Sequence, residues 1–524
     1  MKIRQAASLL FITLACFYPG LSRAGASERP NVLLIAIDDL NDWIGCMGGH
    51  PQAQTPNMDR LAARGVLFNN AHCQSPVCNP SRVSMMTSLY PSTTGVYFLS
   101  PGLSESPVAK KNTVMPKRFQ NEGYHVMGAG KLFHGNQNRK YLPNWAGSFG
   151  GFGPYPKKKI SNFPGHKLWD WGVFPEKDEM MPDYKIAQWG VQQLAKKHDS
   201  STTSTTSTTS TTSTTSTSSG QTSSGQASSG QASSGQTGSG EPKPLFLATG
   251  FYTPHVPQYA PQKWFDLYPL ETLQLPKVAE NDLKDVPEYG VNITRLKHVA
   301  PTMEWVEKNN QWKPLVQSYL ACISFTDHQV GKLLDALEES PYKENTYVVL
   351  YTDHGFHQGE KERFAKRSLW EDGTRTPIII AGPGIVKGQV CSKPAQLLDI
   401  YPTLLELTGL KPDPKLEGHS LVPLLKNPKA DWPHMARTSF GPGNYSIVSE
   451  RYRYIHYNDG SEEFYDRTKD RHEWNNVVKN PEYAELVKKH QAQIPQQRHE
   501  ILGTRSTGHA AYRASEAAKL NREQ

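Results

Sequence analysis

Short apolar runs alternate along the chain with longer segments whose apolar positions recur at helical spacing. That alternation predicts an α/β fold with a largely parallel sheet. Four runs read as strands: Asn31 to Ile37, His125 to Ala129, Leu245 to Thr249 and Thr346 to Tyr351. Helical spacing marks Asn57 to Arg64, Val114 to Glu122, Tyr184 to Lys197, Leu315 to Glu338 and Ala395 to Thr408. From about Thr438 short strands take over, at Tyr445 to Val448, Tyr452 to Tyr457 and Glu463 to Tyr465. These predict a smaller antiparallel subdomain, followed by a helix near Pro481 to His490. Past about Ile501 the chain is polar, and a frayed end is expected.

Two stretches stand outside this alternation. Lys2 and Arg4, the apolar stretch Ala6 to Phe17 and the small residues Ala24-Gly25-Ala26 form the pattern of an export signal over residues 1–26. Its apolar part is too short to span a bilayer, and Thr13-Leu14-Ala15 is a poor context for lipid attachment at Cys16. A secreted or periplasmic protein, free of the membrane after cleavage, is expected. Residues 199–240 are nearly pure Ser, Thr, Gly and Gln. Such a tract cannot offset its ordering entropy by burial, so a flexible insert over 199–242 is expected, either a glycosylated spacer or a tolerated repeat expansion. A helix pattern before it and a strand after it place it inside one domain. The expected division is a catalytic domain over 29–430, a C-terminal subdomain over 431–500 and a polar tail over 501–524.

Charge and cysteine content narrow the partners. The net charge of +8 over 524 residues comes without a dense Lys/Arg run, which argues against a nucleic-acid arm and mildly favours a polyanionic substrate. Of six cysteines, Cys16 leaves with the signal; the other five are scattered and contain no Cys-x-x-Cys pair. They form neither a disulfide scaffold nor a zinc motif. One of them is free for chemistry.

Each of the four strands runs into residues that build sites. NVLLIAI leads to Asp38-Asp39, HVMGAG to Lys131 and His134, LFLATGFYTP to His255, and TYVVLYT to Asp353-His354-Gly355. Ligands in open α/β sheets bind beyond the carboxyl ends of the strands, so these groups are expected at one edge. Taken singly, Asp38-Asp39 reads equally as a turn or helix cap, and Asp353-His354-Gly355 as a turn. Together, the carboxylates would repel unless protonated or bound to a cation, and a hard divalent ion is the simpler expectation.

Cys78-Asn79-Pro80-Ser81-Arg82 adds the reactive group. Asn79 is expected as the helix N-cap and Pro80 at the first helical position, with Cys78 just ahead of the helix. Free N–H groups there favour an anion and lower a thiol's pKa. Arg82, one turn on, reaches the same point. The plain alternative is a buried free cysteine beside a capped helix.

Cys78-x-Pro80-x-Arg82, continued by Val83 to Ser88, Pro91 and Gly95, resembles the signature of the type I sulfatases, whose cysteine is oxidised enzymatically to formylglycine. IDDLNDWIGCMGG, TPNMDRLA, GYHVMGAGKLFH, KPLFLATGFYTPHVP and the segment from Tyr351 to Ile380 resemble the iduronate-2-sulfatase branch, over roughly residues 30 to 410. The resemblance implies the alkaline phosphatase-like fold, and a formylglycine-generating enzyme as a partner acting on Cys78. It implies Asp38, Asp39, Asp353, His354 and the modified Cys78 as ligands of one divalent cation, usually calcium. The hydrated formylglycine would then attack sulfur. Arg82 and Lys131 would hold it, His134 would be the base that expels sulfate, and His255 and Lys366 would bind the sulfate and assist the leaving alcohol. Lys131 and Lys366 read otherwise as solvated charges, and His134 and His255 as loop histidines.

Phe356, His357 and Arg367 depart from the mammalian iduronate enzymes, and the C-terminal third matches loosely. Arg363, Lys366 and Arg367 form a basic cluster suited to a uronate carboxylate or neighbouring sulfates, or simply a solvated face. The expected reaction is hydrolysis of sulfate esters on an acidic carbohydrate such as a 2-O-sulfated uronic acid. Phosphomonoester or phosphodiester hydrolysis on the same fold, and glycan binding without turnover, are the alternatives.

Overall fold

A computed structural model describes residues 29–135, 141–142, 144–198, 243–294, 299–502, 512–514 and 516–517. The leader expected over 1–26 and the insert expected over 199–242 lie outside the described residues. Seven strands form the central sheet: β1 (Asn31–Asp38), β2 (Gly65–Phe68), β3 (His125–Gly130), β4 (Leu245–Pro254), β5 (Thr346–Thr352), β6 (Ile378–Ala381) and β7 (Gln389–Cys391). Their spatial order is β7-β2-β6-β5-β1-β4-β3. Every neighbouring pair is parallel except the two that β6 makes, with β2 and β5. This is the mostly parallel α/β sheet expected from the alternation.

The central strands are apolar throughout because both faces are covered. On one face Leu33, Ile35 and Ile37 pack with helices α1 (Pro56–Ala63) and α5 (Trp312–Glu338); α4 (Pro182–Leu194) lies on the same side. On the other, Val32, Leu34 and Ala36 meet α2 (Cys78–Thr87), α3 (Met115–Asn121) and α6 (Ile400–Leu407). The period-two split of one strand between two cores is what strand geometry dictates. Asp327 of α5 anchors α1 by accepting from the backbone N–H groups of Asn57, at 3.1 Å, and Met58, at 2.8 Å.

Four short antiparallel strands, β8 (Ala436–Ser439), β9 (Tyr445–Val448), β10 (Tyr452–His456) and β11 (Glu462–Asp466), form a second sheet in chain order. Helix α7 (Ala484–Gln491) packs on it. Arg453 of β10 is buried and pairs with Glu371 and Glu473, and it donates to the Leu369 carbonyl at 3.0 Å. The second sheet is thereby tied to the loop that follows Lys366 and Arg367.

Three expectations are corrected. The helix expected from Ala395 begins only at Ile400: Ala395 and Gln396 pair as a short strand with Ala71 and His72, and a 3-10 turn follows. Asn79 is not the cap of α2, which starts at Cys78; the Asn79 side chain instead donates to the carbonyls of Phe98 and Pro101, at 2.8 Å each. The polar tail is not frayed where it is described, because Leu502 N–H donates to Gly95 at 3.1 Å and the Tyr512 ring lies against Phe98.

At the end of β3, Lys131 N–H donates to the Gly250 carbonyl at 2.7 Å, so two backbones nearly touch. A Cβ on Gly250 would meet the Lys131 backbone at 2.4 to 2.8 Å. Gly250→Ala is therefore expected to destabilise the fold by about 1–3 kcal/mol, read as a lower thermal midpoint; an unchanged midpoint would contradict this close approach.

Candidate active site

Parallel pairing sets the ends of β1, β4 and β5 side by side, with Ile37 opposite both Thr352 and Phe251. The residues that follow these strands converge at one edge, as the strand ends implied. Asp38, Asp39, Cys78, Arg82, Lys131, Asp353 and His354 are all buried there. His134, His255 and Lys366 reach the same cavity, of about 410 Å³, which Asp39 and Cys78 also line.

Arg82 organises the floor. Its Nε donates to Asp353 Oδ2 at 2.9 Å, and its terminal nitrogens reach Asp38 Oδ1 at 3.1 Å and the Lys131 carbonyl. Lys131 Nζ pairs with the other oxygen of Asp38, so this carboxylate is held by two cations. Burial alone would push the Asp38 pKa up. Lys131, with help from His255 and Arg82, holds it well below the usual carboxylate range. For Asp353 burial outweighs Arg82 and His354, and the pKa is pushed up to about 7.

The reactive position sits over this floor. The side chain of residue 78 is an unmodified thiol here, so its Sγ marks the point from which the oxygens of an oxidised side chain would project. Sγ lies 3.3 Å from His354 Nε2, 3.3 Å from Lys366 Nζ and 3.6 Å from Lys131 Nζ. Burial raises a thiol's pKa, but Lys131, Lys366 and His354 together pull that of Cys78 well below its ordinary value. Lys366 Nζ also bonds both oxygens of Asp39, at 2.6 and 2.9 Å. Asp39 itself is held at φ +60°, left-handed for a non-glycine residue, with its carbonyl accepting from Tyr319 at 2.7 Å. Such strain is characteristic of sites.

Asp38, Asp39, Cys78 and His354 each offer one ligand atom, and these atoms lie within 4.8 Å of one another. Asp353 stands at the edge of this group, its Oδ2 3.5 Å from His354 Nε2. His354 Nδ1 faces the Gly355 carbonyl at 3.1 Å, which directs its proton there and leaves Nε2 toward the cluster. Burial disfavours charge on His354, yet Asp353 and Cys78 overcome it and push its pKa up to about 9. The cluster therefore draws positive charge to the point where the ligand atoms meet, and it fits a metal ion.

Some residues near the motifs serve the fold. His72 lies between Asn70 and Thr374, and His357 between the Glu360 carbonyl and Ser368. Phe152 escaped the sequence reading. Its ring lies under Lys131 Nζ, 4.7 Å away, and against His255, with centroids 4.5 Å apart. It sits in a glycine-rich loop without periodicity, so no local signal marked it. Trp169 and Phe356 form further walls of the cavity.

The Sulfatase family model matches residues 30–410, the span of the resembling stretches, and the model described as N-sulphoglucosamine sulphohydrolase, C-terminal, matches residues 359–500. A protein called Sulfatase from Formosa agariphila is 39% identical over 483 residues, covering 89% of this chain and 87% of its own. Iduronate 2-sulfatase of Mus musculus is 28% identical over 439 residues, covering 74% and 70%. A solved structure described as a 2-O GAG sulfatase superposes with a TM-score of 0.61 at 20% identity, covering 89% of this chain and 91% of that one. With a strand-end site of this composition, the chain belongs to the sulfatase family. It is a sulfuric ester hydrolase with the alkaline phosphatase-like fold.

A ligand that binds only the folded state stabilises it by mass action, about 2.7 kcal/mol at a hundredfold excess over Kd. Added divalent cation is expected to raise the thermal midpoint of the wild type, and Asp39→Asn to remove most of that rise. Equal shifts in both proteins would place the cation elsewhere.

Proposed function

We propose that this sulfatase acts on an acidic sulfated carbohydrate through residue 78 after its oxidation to formylglycine by a formylglycine-generating enzyme. The observation that carries the reading is the placement of Cys78 Sγ. It lies on the first turn of α2, within 3.6 Å of two lysines and a histidine at the acidic strand ends. A helix start with flanking cations binds a tetrahedral anion.

Asp38, Asp39, Asp353, His354 and residue 78 would hold one divalent cation, calcium on the strength of the oxygen-rich set. When bound, it supplies a Lewis acid that offsets the charge of the ester oxygens. The oxidised, hydrated side chain supplies a hydroxyl aimed at sulfur. Arg82 and Lys131 keep residue 78 and the strand-end carboxylates in register. Lys366 and His255, whose Nε2 lies 3.8 Å from Asp39 Oδ2, line the cavity beside Cys78, where a leaving alcohol needs a proton. His134 Nδ1 is buried without a partner and lines the same cavity, as suits the base that takes the proton when sulfate is expelled.

Iduronate 2-sulfatase among the relatives supports a sugar substrate, and a 2-O-sulfated uronic acid is our reading of it. The leader pattern supports export, and among the described residues no helix is long and apolar enough to cross a membrane. The catalytic domain over 29–430 and the smaller unit over 431–500 remain our division of the chain, with the 199–242 insert interrupting the first.

Active protein is expected to show an aldehyde or its hydrate in the peptide bearing residue 78. Cys78→Ala is expected to lose at least about a thousandfold in sulfate release, the scale of removing a catalytic nucleophile. Aryl phosphates assayed in parallel are expected to turn over more slowly than aryl sulfates. A fully active protein with an intact thiol would overturn the proposal, and faster phosphate release would favour the phosphohydrolase alternative.

A further inference from the structure

A second cavity, of about 420 Å³, lies beside the one over Cys78. Its size falls among small-molecule sites, which run from about 300 to 1,000 Å³. Leu283, Val291, Met303 and Phe364 give it apolar walls, and Arg363 lines it as well. The two cavities adjoin: Ala365 lines both, and Ala300 of this one follows Val299 of the other.

Arg363 sets this cavity apart from an ordinary apolar cleft. The residue is only 9% exposed. A terminal nitrogen donates to the Lys366 carbonyl at 3.1 Å, while Nε is buried with no hydrogen-bond partner. Burial, with the like charge of Arg367 nearby, pushes its pKa down to about 9, and among the described residues no carboxylate offsets this. Glu304 and Glu362 also line the cavity, but both are exposed to water and neither pairs with Arg363. Lys361, the other cation of the wall, is neutralised by Asp282 at 2.6 Å.

A buried guanidinium without a counter-ion is unfavourable, and an arriving anion relieves it. Its planar fork matches the paired oxygens of a sulfate or carboxylate, which a neutral hydroxyl does not supply. We propose that the Arg363 cavity is a second oxyanion-binding site, for a sulfate or carboxylate group, separate from the site over residue 78. Two sources offer that group: the sugar next to the one bearing the scissile ester, and the free sulfate that the reaction releases. The shared wall at Ala365 favours the neighbouring sugar, as does the bond from Arg363 to the backbone of Lys366, whose Nζ lies 3.3 Å from Cys78 Sγ. That source rests on the acidic-carbohydrate reading, whereas the site itself does not.

The test uses the complete modified protein and three probes. These are selenate as a heavy stand-in for sulfate, an aryl sulfate, and a disaccharide with the scissile sulfate on one sugar and a carboxylate on the next. Crystals soaked in selenate are expected to show an anomalous peak within hydrogen-bond reach of Arg363, apart from any at residue 78. Arg363→Gln is expected to lose that peak, and Arg363→Lys, which keeps the charge, to retain it, so a folding defect in one variant does not decide the matter. With the neighbouring sugar as the source, Arg363→Gln lowers the ratio of kcat/KM for disaccharide over aryl sulfate by about 10- to 100-fold, the worth of a hydrogen bond to a charged group. A peak that depends on Arg363 beside an unmoved ratio identifies the free ion instead. The assignment is overturned if selenate does not reach Arg363 and the ratio does not move; an equal fall on both substrates then marks Arg363 as a brace for the Lys366 backbone. Failure of the wild type to release sulfate from the aryl ester would remove the sulfatase reading and leave the selenate result standing.

Discussion

Arg82 bridging two buried carboxylates is the interaction on which the site depends. Asp38 ends one strand and Asp353 directly follows its parallel neighbour, so the sheet forces their charges together out of water. Neither could stay ionised there alone, because burial of an unpaired carboxylate costs several kcal/mol. The guanidinium satisfies one oxygen of each and passes a further bond to the Lys131 backbone. Because Arg82 lies one turn along α2 from Cys78, the same contact fixes the reactive position over the strand ends. Fold and chemistry share a single constraint.

The cations form a second layer around that bridge. Lys131 completes Asp38, Lys366 completes Asp39, and both lysines point at residue 78. Phe152 beneath Lys131 and Arg453 behind the 369–374 loop keep these groups from wandering. The small C-terminal sheet therefore acts on the site at a distance, by holding the loop that carries Lys366 and Arg367.

Much of this was legible in the chain. The apolar runs before Asp38, Lys131, His255 and Asp353 identified the strands, because parallel strands buried on both faces must be apolar throughout. The groups after them were legible as a set because parallel strands share one carboxyl edge. The Cys-x-Pro-x-Arg spacing placed the anion-binding helix start. What escaped depended on distant contacts. Asn79 looked like a cap, but Phe98 and Pro101 take its side chain. Ala395 looked helical, but Ala71 offers it a strand partner. Phe152 arises from a loop that no periodicity marks. The tail past Ile501 reads as polar, yet Leu502 and Tyr512 find partners around Gly95 and Phe98 that only the folded chain assembles.

The most direct test of the central claim is to locate the cation by anomalous diffraction from crystals of the modified protein grown with calcium. The account predicts one strong peak within ligand distance of the Asp38 and Asp39 carboxylates, His354 Nε2 and the side chain of residue 78. A peak bound elsewhere on the molecule, with none between the strand ends and the start of α2, would contradict it.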